Sequence, residues 1–148
     1  MSRPLLVACR RYMTVIALGN LLWEAAQMPL YTLWVVGTPT QIGYAWAHCT
    51  LGDVLIGAGT LCGALALNRA WAWPSARFWR VAATTVILAL AYTVFSEWLN
   101  VEVRQSWAYR DIMPTLPGLG TGVSPLLQWG VVPLLAFWHA RARRSVTA

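Results

Sequence analysis

Tyr12–Val36 reads YMTVIALGNLLWEAAQMPLYTLWVV, an apolar run interrupted by a single charge, Glu24. As a helix rising about 1.5 Å per residue, it more than covers the roughly 30 Å hydrocarbon core of a bilayer. It outruns the apolar region of an ordinary signal peptide. With Arg3, Arg10 and Arg11 ahead of it, it predicts a retained first membrane helix. Three further runs follow. Thr38-Pro39, a cap followed by proline, predicts the start of a second helix reaching about Leu67. A third is expected over 78–101, and Ser124-Pro125 repeats the cap-and-proline pattern for a fourth over 124–139. Pro29 and Pro133 should bend the helices that contain them. The expected fold is an all-α, four-helix membrane bundle in a single domain, 1–148, with one long loop at 102–123.

Composition agrees. The chain is 58% hydrophobic and 11% charged, against about 25% charged residues in soluble domains. All eleven basic residues are Arg. Arg3, Arg10, Arg11, Arg69, Arg77, Arg80, Arg141, Arg143 and Arg144 fall where an N-in bundle has its inner segments. Only Arg104 and Arg110 fall in the outer loop, beside Glu102 and Asp111. This asymmetry predicts a bacterial inner (plasma) membrane protein with both termini cytoplasmic. The same placement argues against a nucleic-acid partner, because the charge flanks apolar runs and forms no phosphate-tracking face. Trp71 and Trp73, between the second and third runs, suit the headgroup interface. Cys9, Cys49 and Cys62 have no metal-type spacing and read as small apolar side chains. Gly59 and Gly63 form a GxxxG pair, expected to pack inside the bundle.

Ionisable groups at membrane depth are costly, so each demands an explanation. Glu24 and Asp53 lie mid-helix, His48 lies nearer the outside, and Glu97 is about one turn below the outer end of its helix. Asn20, Glu24, Gln27 and Tyr31 recur at steps of four, three and four; so do Thr93, Glu97, Asn100 and Arg104. Two stripes at helical spacing predict facing polar surfaces. Ser124 and Gln128 add a third polar face. The expected result is an outward-facing polar pocket with Glu24 and Asp53 at its floor. Glu24, Asp53 and Glu97 would act as acid–base groups, with His48 orienting or relaying a proton. Tyr31, Gln27, Asn100 and Gln128 would position a substrate, and Trp107 with Tyr109 would close the lid. Such side chains also serve as glue between helices, at about 0.6 to 2 kcal/mol per bond.

The runs Ser96-Glu97-Trp98-Leu99-Asn100, Trp107-Ala108-Tyr109, Met113-Pro114 and Ser124–Trp129, with His48 and Gly52-Asp53, resemble small uncharacterised bacterial four-helix inner-membrane proteins. That likeness covers most of the chain and implies no activity. Locally, the acid-bearing helix followed by a W-x-Y loop and a proline is similar to membrane enzymes of the lycopene-cyclase and carotenoid-hydratase type. The paired glutamates of the cyclase motif are not present.

Three functions fit. The first is binding of, or acid–base chemistry on, a membrane lipid or other hydrophobic molecule such as an isoprenoid. The second is proton-coupled transport by a homodimer. The third is a non-catalytic subunit of a larger membrane complex. No motif calls for a cofactor or a metal, and the enzyme question stays open at this level.

Overall fold

The computed structural model describes residues 3–141, so Arg143 and Arg144 lie outside the described residues. Helix α1 spans Arg3–Gln27 and passes through a 3-10 turn, Met28–Leu30, into the short α2, Leu33–Val36. Helix α3 is Pro39–Leu67 and α4 is Phe78–Glu97; α4 continues as a π-helical turn, Trp98–Val103. Helix α5 is Val123–Ala140. Among the described residues there is no strand, only two isolated bridges.

The first helix therefore starts earlier and ends earlier than the apolar run suggests. Its basic leader is helical, and Pro29, which has no N–H to donate, ends the regular ladder where a bend was expected. α3 starts as the sequence predicts. Thr38 Oγ1 accepts from Gln41 N at 3.3 Å, and the Gln41 side chain accepts from Thr38 N at 2.9 Å, a capping box with Pro39 at the first turn. At α5 the expected cap fails. Gly122 takes the N-cap position, because the Ser124 hydroxyl is spent on Gln27 Oε1 at 2.8 Å.

Arg3–Leu30, Pro39–Leu67 and Phe78–Val103 are each long and apolar enough to cross a membrane. α5 has 18 residues, about 27 Å of helix, and Gln128, His139 and two prolines dilute its apolar character. The long helices close into a ring in which α1 packs on α3 and α5, and α4 packs on the same two. Gly19 and Gly57 allow the close approaches. A Cβ at Gly57 would stand 2.7 Å from Ile16 Cγ2, and one at Gly19 2.7 Å from Val132 Cγ1. The GxxxG pair contributes less: Gly63 only touches Leu88, and Gly59 faces open space.

The interior is stratified. The half nearer the Arg-rich end is apolar, built from Leu5, Tyr12, Ile16, Leu61, Val81, Phe137 and their neighbours. Trp73 belongs to this core and not to the headgroup interface: it is 1% exposed and packs edge-on against Phe137. Trp71 stays exposed. The other half of the ring holds the buried polar side chains Asn20, Glu24, Gln27, Asp53, Glu97 and Gln128.

Candidate functional site

The polar half is organised on one nitrogen. Gln128 Nε2, from α5, lies 2.8 Å from Asn20 Oδ1, 3.1 Å from Glu24 Oε1 and 2.8 Å from Asp53 Oδ2. An amide nitrogen carries two hydrogens, so three acceptors compete for two donors. Gln27 Nε2 serves the same cluster, donating to Glu24 Oε1 at 2.6 Å and to Gln128 Oε1 at 3.2 Å. Its own carbonyl accepts from Ser124, whose hydroxyl in turn accepts from Trp23 Nε1 at 3.3 Å. Asn20 anchors back to Ile16 O at 2.8 Å. One connected network thus joins α1, α3 and α5, and its two carboxyls meet on a single amide. None of its members is basic.

A second acidic group sits above it. Tyr109 Oη, from the 104–122 loop, donates to Glu97 Oε2 and accepts from Gly122 N at 3.1 Å. Burial, and after it the bond to Glu97, hold the Tyr109 phenol above its ordinary range, so it stays a donor. The Tyr31 ring leans on Tyr109, centroids 5.5 Å apart. Trp107 lies beside Glu97, its buried indole N–H turned to that carboxyl, and Thr121 Oγ1 is buried without a partner. Tyr12 Oη and Trp73 Nε1, both against Phe137, are in the same condition in the apolar half.

The 104–122 loop is docked, not draped. It pairs with the backbone exposed by the break after α1. Thr32 N donates to Ala108 O at 2.9 Å and Arg110 N to Leu30 O at 2.9 Å. Arg110 Nη1 takes the Pro29 carbonyl at 2.7 Å. Met113 is buried beneath the loop, and Gly122 lies against Tyr109 and Met113 with no room for a Cβ beyond 3.2–3.3 Å.

Not every side chain expected at the site is there. Glu24, Gln27, Asp53 and Gln128 join the network; Glu97, Tyr109, Tyr31 and Trp107 form the roof. His48 is exposed and stacks on Tyr44 at 5.6 Å. Five residues from Asp53 is about 140° around a helix, so His48 and Asp53 cannot share a face. Cys49, one turn from Asp53, holds that inward position instead. Asn100 also turns away, donating to Ser96 O at 2.9 Å in its own helix. The π-turn beginning at Trp98 breaks the four-three-four step on which its alignment with Glu97 depended. Asn20, by contrast, is a full member that its place in the α1 stripe already signalled. Among the described residues no three His, Cys, Asp or Glu side chains gather as a metal site.

Comparison with protein-family models, with curated proteins and with solved structures finds no match.

Proposed function

We propose that this chain is a four-helix protein of the bacterial inner membrane, with α5 as the fourth crossing and both termini inside. Its outer polar half receives the head of a lipid-like or isoprenoid molecule beneath the 104–122 loop and performs acid–base chemistry on it. The observation that carries this reading is the Glu24–Gln128–Asp53 junction: two carboxyls from different helices on one amide, at a depth with no basic side chain. Paired carboxyls in a dry site are suited to giving a proton to one atom and taking it from another. Packing of both on Gln128 fixes their separation.

Two further features support it. Thr121 Oγ1, in the loop above the network, is buried without a partner, and buried polar groups without partners are uncommon. A polar head entering under the loop would satisfy it. Below the network, Tyr12, Ile16, Val81 and Phe137 are each at most 2% exposed. This plug favours chemistry served from the outer side over passage of a substrate through the bundle.

The test is mass spectrometry of the chain purified in mild detergent. An apolar molecule with a polar head should co-purify from the wild type, and be lost from Trp107→Ala. A second polypeptide in stoichiometric amount, with no bound small molecule, would replace this reading by that of a complex subunit.

A further inference from the structure

At the opposite end of the bundle, α4 and α5 leave an open groove of about 410 Å³. Its walls are apolar: Phe78, Val86 and Ile87 on one side, Leu134, Phe137 and Trp138 on the other. Arg141 stands at its mouth, its guanidinium 5.9 Å from the centre of the Phe78 ring and 5.6 Å from that of Trp79. From Phe78 to Ile87 the groove follows about 13 Å of helix, close to the roughly 15 Å of one leaflet's hydrocarbon.

The charges around it are unbalanced. The five acids of the chain are Glu24, Asp53, Glu97, Glu102 and Asp111. All belong to the polar half of the bundle or to the outer loop. Arg141 therefore has a cationic head held over aromatic faces, an apolar furrow running away from it, and, among the described residues, no acidic side chain at its own end of the bundle.

We propose that this groove binds an anionic phospholipid of the leaflet at the Arg-rich end. One acyl chain lies between α4 and α5, and the phosphate pairs with Arg141. Charge complementarity selects the headgroup: the guanidinium fork matches a phosphate's oxygens, and the stacked rings hold it at headgroup depth. The groove's length selects a chain lying along the leaflet. This site is independent of the outer polar network, and its success or failure leaves that proposal untouched.

The experiment is native mass spectrometry of the full chain released from mixed micelles containing equal phosphatidylglycerol and phosphatidylcholine. The wild type should retain phosphatidylglycerol with a clear preference, and Arg141→Gln should lower that preference about fivefold, the effect of one basic side chain near a membrane surface. Arg69→Gln, at the same end but outside the groove, should leave it unchanged. Ala83→Trp, which fills the groove from its exposed wall, should reduce retention of both lipids. Equal retention of the two lipids by the wild type would overturn the proposal. So would an Arg141→Gln protein with undiminished preference, or an Ala83→Trp protein that keeps its lipid.

Discussion

Gln128 is the residue on which the polar interior turns. Its amide nitrogen contacts three acceptors on two other helices, and its carbonyl accepts from a fourth side chain. Replacement by Leu keeps the volume but leaves buried carboxyl oxygens without donors, at about 1 to 3 kcal/mol for each unsatisfied group. Gln128→Leu should therefore lower stability by about 2 to 4 kcal/mol, read from unfolding titrations in mixed micelles. His48→Ala should shift it by less than about 0.5 kcal/mol, since His48 is exposed and touches chiefly Tyr44. A comparable loss at His48 would mean that the imidazole has a buried role. The contrast shows what the sequence carries at this scale. Glu24, Gln27 and Gln128 are legible because helical spacing puts them on inward faces. His48 is not, because its closeness to Asp53 along the chain does not put it on the same face of the helix.

At the scale of elements, the boundaries depend on where polar side chains find partners. The Thr38 capping box is local, four residues long, and the sequence states it outright. Ser124 looks equally like a cap, yet a distant partner on α1 takes its hydroxyl. No local pattern records that. The π-turn after Glu97 is likewise silent in the sequence, and it is what removes Asn100 from the stripe. Two predictions belong here. Gly57→Leu should cost about 1 to 3 kcal/mol, because its side chain must displace Ile16. Gly59→Leu, with open space around it, should cost less than about 0.5 kcal/mol in the monomer. A large loss at Gly59 would reveal a second copy packed on that face. For the docked loop, Tyr109→Phe removes both the bond to Glu97 and the acceptor for Gly122 N. Amide exchange at Thr32, Arg110 and Gly122 should then accelerate together. Unchanged exchange would show that the backbone pairing with residues 30–32 holds the loop by itself.

For the whole molecule, the decisive pattern is a bundle with two unlike halves. The Arg-rich end is closed by Tyr12, Trp73 and Phe137, while the other half buries carboxyls and amides under a pinned loop. Composition made the helical character, and the presence of helices long and apolar enough to cross a membrane, legible without coordinates. The stratification was legible only in part, because it depends on which faces meet. Reporter fusions after Arg77 and at the C-terminus should read cytoplasmic, and fusions near Thr38 and Gly118 periplasmic. A periplasmic C-terminus would remove α5 as a crossing and with it the outward orientation of the polar half.

The central claim is that the Glu24–Asp53 pair is a working site and more than glue between helices. Isosteric replacement separates the two, because Glu24→Gln with Asp53→Asn keeps the shape and supplies donors in place of charge. The measurement is made on one purified sample of this double variant, scoring unfolding stability and retention of the co-purifying molecule side by side. The account predicts stability within about 1 kcal/mol of the wild type and loss of the bound molecule or of its conversion. Full retention and conversion in a protein that has lost several kcal/mol of stability would contradict it, and would assign the carboxyls to holding the helices together.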